Sequence, residues 1–209
     1  MTINMTKITA AAVLIVICGA AASRAIGQQP TISKIQPLRI VKFDGDMAYL
    51  LAHLAGSWGV TIGLETDPKQ PKSQVSLDVR DATLTDVLNA VVKSAPRYQW
   101  RERDGCIEVL PVGASSPILD TMIHNFRATD VDQTEAVNRL MSLPELRGIG
   151  MGRKAGSVSS QTKIEKFSIK LDGVTMRQAL CGIANESGGR FWIFRTLDEG
   201  LFSISNSPR

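Results

Sequence analysis

The chain has 209 residues, 44% of them hydrophobic and only 5% aromatic. That composition suits one or two small globular domains and excludes a large aromatic core in either. Lys and Arg total 24 against 20 Asp and Glu, a formal charge of +4, and two of those bases, Lys7 and Arg24, lie in an N-terminal stretch without acids. The surplus that remains is too small to point to nucleic acid as a partner.

Lys7 precedes an apolar run from Ile8 to Ala22, and small residues then lead through Ser23-Arg24-Ala25 to Gly27. A basic start, a short apolar run and an A-x-A-like exit describe a secretory signal peptide over residues 1–27, cleaved after Ala25 or Gly27. The run is shorter than the about 20 residues a spanning helix needs, which argues against an uncleaved anchor. Ile17, next to Cys18, is too bulky for a lipoprotein signal. The chain is therefore expected to be exported from the cytoplasm. No later segment is apolar enough to span a bilayer.

Arg39 to Phe43 alternates as a strand, and Met47, Leu50, Leu51, Leu54 and Trp58 form one helical face. Asp46 stands where an N-cap belongs, and Gly59 where the helix should stop. Val60 to Ile62 begins a second strand. Val75, Leu77 and Val79 alternate as a third. Leu84, Val87, Leu88, Val91 and Val92 then fall on one helical stripe behind a Thr83/Asp86 capping box. Tyr98 to Arg101, the turn Asp104-Gly105, and Ile107 with Val109 predict a hairpin. Pro111 and the stretch 113–117 read as a linker.

Shifted by 92 residues, the pattern returns. Phe167, Ile169 and Leu171 make the strand, Thr175/Gln178 the capping box, and Met176, Ala179, Leu180, Ile183 and Ala184 the stripe. Trp100 falls on Trp192. Phe191 to Phe194, Asp198-Glu199-Gly200, Phe202 and Ile204 make the hairpin. Ahead of these, Met122 to Phe126 supplies a strand, and Val137, Leu140 and Met141 a weaker helix. A long Gly/Ser/basic loop, about 144–166, replaces the compact connection of the first copy. Self-similarity at one period predicts two copies of one unit. The expectation is an α+β protein of two tandem modules, 36–112 and 118–206, each in βαββαββ-like order.

The first module resembles the short N-terminal domain of secretins and TonB-dependent receptors, the STN or secretin-N0-like family. Ile40-Val41-Lys42-Phe43-Asp44, the helix Leu50-Leu51-Ala52-His53-Leu54-Ala55, Gly59-Val60-Thr61-Ile62, Val75-Ser76-Leu77 and Ala82 to Ala90 carry the resemblance, with Tyr98 to Trp100, Gly105 and Ile107 to Val109. The second copy fits from Phe167 onward. The resemblance implies two helices held between small sheets. It also implies interaction with other proteins at or near the outer membrane, in a secretin or TonB-dependent transport or signalling system, and no catalytic residues. Contacts would come from Arg39, Val41 and Phe43 on the first strand and from Arg147, Arg153, Lys154, Lys163 and Lys166 in the loop. Self-association through open strand edges and peripheral contact with anionic lipid are further expectations.

Chemistry is sparse in the rest of the sequence. His53 and His124 lack Cys, Asp or Glu at metal-ligand spacing, so neither a metal nor a cofactor is expected. No Gly-x-Ser-x-Gly elbow occurs, and Ser157, Ser159 and Ser160 have no base nearby in sequence. Gly148 to Lys154 has the glycines and bases of a phosphate loop but not the strand–loop–helix context. Gly56-Ser57-Trp58-Gly59 matches the Gly-x-x-Gly of a KH module without its basic character. Cys106 and Cys181 could pair in an oxidising compartment, but their positions on a strand of one module and a helix of the other favour separate buried thiols. The competing functional expectation is a binder of a small ligand or envelope glycan in a groove between the modules.

Overall fold

The computed structural model describes residues 38–67, 72–113, 115–147, 155–158, 165–195 and 201–206, of which 38–40, 155–158 and 201–206 are described by their backbone alone. The stretches read as a leader and as the Asp198–Gly200 turn, and most of the glycine-rich basic stretch, lie outside these residues. The fold is mixed α+β. In chain order it runs β1 (Leu38–Asp46), α1 (Met47–Trp58), β2 (Thr61–Glu65), β3 (Gln74–Ala82), α2 (Leu84–Ser94), β4 (Tyr98–Arg103) and β5 (Cys106–Pro111). It continues with β6 (Met122–Val131), α3 (Gln133–Met141), β7 (Ala155–Val158), β8 (Phe167–Thr175), α4 (Met176–Glu186), β9 (Arg190–Arg195) and β10 (Leu201–Asn206). The order β-α-β-β-α-β-β thus occurs twice among these elements.

Local chemistry sets the ends of the helices. Asp46 accepts from the Ala48 amide at 2.7 Å, and Gly59, at φ 64°, closes α1 in the left-handed conformation. Thr83 with Asp86 and Thr175 with Gln178 form reciprocal capping boxes on α2 and α4. Asp132 caps α3 through the Glu135 amide at 2.8 Å. Between β4 and β5, Asp104 (φ 52°) and Gly105 (φ 74°) make a two-residue turn with both φ positive, the twist a tight hairpin needs. Residues 144–166, read as one loop, contain a 3₁₀ turn at Pro144–Leu146 and the strand β7.

β1 pairs with β3, and β6 with β8, as separate antiparallel ribbons. The remaining strands form one six-stranded sheet in the order β4-β5-β2-β9-β10-β7. Its centre is a parallel pairing of β2 with β9, Ile62 opposite Phe191 and Leu64 opposite Ile193. The two halves therefore share a sheet. Two apolar cores lie against it, and β9 feeds both. Phe191 and Ile193 join the core of α1 and α2, while Trp192 and Phe194 join that of α3 and α4. Because successive side chains of a strand point to opposite faces, a strand buried on both sides reads as a continuous apolar run, as Phe191 to Phe194 does. Each fully buried large apolar side chain here contributes about 1.5–3 kcal/mol.

One sequence expectation is overturned. Cys106 and Cys181 form a disulfide, with Cα atoms 6.1 Å apart. The strand of one half and the helix of the other meet because α4, packed on β8 and β9 of its own half, also reaches β2, the neighbour of β5 in the shared sheet. The stretch read as a linker is also tied down. The Ser116 amide donates to Glu65 Oε1, and Pro117–Asp120 forms a 3₁₀ turn packed beside α4.

Candidate functional site

The chemically densest place among the described residues is the seam between the halves. Arg177, Gln178 and Cys181 sit on one side of α4, and all three reach residues of the first half. Arg177 is 1% exposed, as are Glu65 on β2 and Glu108 on β5. Arg177 Nη2 donates to Glu65 Oε2 and to Ser115 Oγ, each at 2.8 Å. Its Nε lies 3.7 Å from Asp120 Oδ1 and 3.9 Å from Glu108 Oε2. Glu108 takes its close partner from the other side, where Arg101 Nε donates to Oε2 at 2.6 Å. Arg177 Nε and Nη1 and Glu108 Oε1 are buried without a hydrogen-bond partner. The charges are compensated, but the hydrogen bonding is incomplete, so removing any one of them strands another in a dry site.

Around this cluster the halves are joined three more ways. Gln178 Nε2 donates to Asp104 Oδ2 at 2.6 Å. The Thr66 amide extends the β2–β9 ladder by donating to the Phe194 carbonyl at 2.9 Å. The Trp192 indole lies across Gly63 of β2. A Cβ on Gly63 would fall 2.1 Å from the ring, so only glycine admits the indole there. Trp192 Nε1 points at Cys181 Sγ, 3.1 Å away.

No histidine takes part in this seam. His53 and His124 are both exposed, and His53 Nε2 lies 3.4 Å from Ser57 Oγ one turn along α1. Ser115 Oγ accepts from Arg177 Nη2 at 2.8 Å and lies 3.4 Å from Glu65 Oε2 and from Asp120 Oδ2. Among the described residues, no group of three or more His, Cys, Asp or Glu side chains converges as a metal site. Among the described residues Asp86 has a shifted acidity, held below its ordinary value by hydrogen bonds from the Thr83 side chain and amide.

The residues chosen as partner contacts are placed apart. Val41 is buried at 8% exposure with its side chain in the first core, so what it offers a partner is its main chain. Phe43 packs against that core and stacks on Tyr49, ring centroids 6.2 Å apart. Tyr49 itself is 71% exposed. Arg39 lies on β1. Arg147 is exposed, and Lys166 is exposed and pairs with Asp130 at 3.1 Å. Arg153, Lys154 and Lys163 lie outside the described residues. What β1 does present outward is Lys42 and Asp44, and its edge away from β3 is unpaired among the described residues.

The seam residues were missed in the sequence, although a signal for them existed. Glu65 and Glu108 are the sole charged residues in two otherwise uncharged, buried strands. Arg177 sits in the first turn of a helix, where the macrodipole disfavours a cation, so an external anion is called for. Compared with protein-family models, with curated proteins and with solved structures, the chain matches none.

Proposed function

We propose that the chain is a non-enzymatic, extracytoplasmic interaction protein built of two tandem STN-like modules, serving an outer-membrane secretin or a TonB-dependent transport or signalling system. The observation that carries this reading is the architecture of the charged groups. The buried ones are consumed by holding the halves together, while the outer edge of β1, unpaired among the described residues, is left beside polar side chains. A disulfide across the seam suits an oxidising compartment. An exposed edge such as that of β1 offers main-chain donors and acceptors to a partner strand, with Lys42 and Asp44 to select it. Among the described residues no helix is long and apolar enough to cross a membrane. The rival reading, a ligand groove between the modules, loses support because that seam is filled by hydrogen-bonded strands, the Trp192 ring and the Arg177 cluster.

Site-specific photo-crosslinking tests the proposal. A photoreactive residue in place of Lys42 should capture, in the intact envelope, a protein that mass spectrometry identifies as a secretin or TonB-system component. The same residue in place of exposed Glu186, at the far end of α4, should not. Equal capture at both positions, or none at Lys42, would refute the β1 contact.

A further inference from the structure

The seam inside the chain is a joint between unlike edges, and both of its halves are present again at the free ends of the six-stranded sheet. Within the chain, β2 of the first half pairs in parallel with β9 of the second. By element order, β7 is the counterpart of β2, and β4 is the counterpart of β9. These are the two outer strands of the sheet, unpaired on their outer edges among the described residues. Strand directions agree as well. β4 is antiparallel to β5, β5 and β9 are both parallel to β2, β10 is antiparallel to β9, and β7 is parallel to β10. It follows that β7 of one copy, laid beside β4 of another with both sheets in the same orientation, meets it in parallel, as β2 meets β9.

The register carries the match down to residues. Trp100 lies opposite Val109 and Trp192 opposite Ile204. Val109 lies opposite Leu64 and Ile204 opposite Ser157. Leu64 thus corresponds to Ser157, and Gly63 to Gly156. The glycine that admits an indole is present on the free edge of β7, and the tryptophan to place on it is present on β4. Trp100 is half-buried, with Nε1 donating to Asn89 Oδ1 at 2.9 Å, as Trp192 Nε1 points at Cys181, the counterpart of Asn89.

We propose that the chain associates head to tail with further copies of itself, β7 of one copy pairing in parallel with β4 of the next and Trp100 covering Gly156. This joint is heterologous, so its repetition builds a ring or a line of copies and not a symmetric dimer. It is weaker than the internal seam. Thr85 and Asn89 stand where α4 has Arg177 and Cys181, and Arg101 and Glu102 on β4 stand where β9 has Ile193 and Phe194. Association therefore rises with protein concentration. It uses edges other than that of β1 and is tested on purified protein alone, so its failure leaves the envelope-partner reading intact.

Cysteine trapping reads this joint directly. The internal disulfide joins Cys106 to Cys181. Cys106 lies opposite Arg103, and Leu201 lies opposite Arg195, so Leu201 is the counterpart of Cys106. In a Cys18→Ser background, an Asn89→Cys copy mixed with a Leu201→Cys copy should yield disulfide-linked heterodimer in excess of either homodimer, and the double variant a ladder. Adding Gly156→Val should abolish both, and Trp100→Ala in its place should do the same, with melting temperature and circular dichroism showing that each variant folds. Cross-linking in random proportions, or persisting when folded Gly156→Val replaces the glycine, would overturn the proposal. So would sedimentation as a monomer at the highest soluble concentration.

Discussion

Replacing Cys106 and Cys181 together with alanine removes the covalent tie between a strand of the first half and a helix of the second. The two residues are 75 apart in sequence. For a closed loop of that length the chain-entropy relation gives about 15 cal/mol/K, or about 4.5 kcal/mol at room temperature. Native-state strain and residual structure in the unfolded chain reduce such figures, so a loss of about 3–5 kcal/mol is expected. Against a typical total of about 5–15 kcal/mol, that is a large share of the stability. Urea unfolding followed by tryptophan fluorescence and by circular dichroism measures it. Mass spectrometry before and after reduction first establishes that the wild type carries the bond, by the gain of two hydrogens. A loss under about 1 kcal/mol in protein shown to be oxidised would refute the reasoning, because the tie would then constrain nothing that unfolding releases.

Gly63→Ala should cost about 2–3 kcal/mol, because the new methyl group meets the Trp192 ring and forces overpacking of a seam that cannot open. Thermal unfolding with a near-ultraviolet tryptophan signal would show both the loss and the displaced ring. Arg177→Met should cost about 3–5 kcal/mol by stranding Glu65, and adding Glu65→Gln should recover much of that loss. Equal stability of the single and double variants would refute the role assigned to the pair. Thr175→Ala should lower stability by about 1 kcal/mol through loss of the α4 cap, measured in the same urea titration. Asp86 should titrate below an ordinary aspartate in a carbon-detected NMR experiment, and Thr83→Val should move its midpoint up. The folded value lies below the unfolded one, so this contribution is present above the unfolded value and is lost as pH falls through the folded one.

The helices and their caps were legible because their signals are local. A stripe at helical spacing and a Thr three residues ahead of Asp86 or Gln178 lie within a few positions of each other. The joining of the halves was not legible, because the parallel pairing of β2 with β9 links residues far apart in sequence, and the apolar run Phe191 to Phe194 marks burial on both faces without naming the partner strand. Gly63 could be read only as a break in an apolar strand until Trp192 was set against it. The pairing of Cys106 with Cys181 was not legible because α4, besides covering β8 and β9 of its own half, also reaches β2 of the other. Ala155 to Val158 carries too short and too weak an alternation to announce β7. Val41 was chosen for lying on an edge strand, but alternation on that strand turns its side chain to the core and leaves Lys42 outside.

Native-state hydrogen exchange over β2 and β9 tests the central claim, that one sheet and its buried Arg177 cluster weld the halves into a single cooperative body. Amides of residues 61–65 and 190–195 should share one opening free energy, equal to that of global unfolding, and should slow together. Two separate opening energies, with the strands of one half exchanging while the other stays protected, would contradict it.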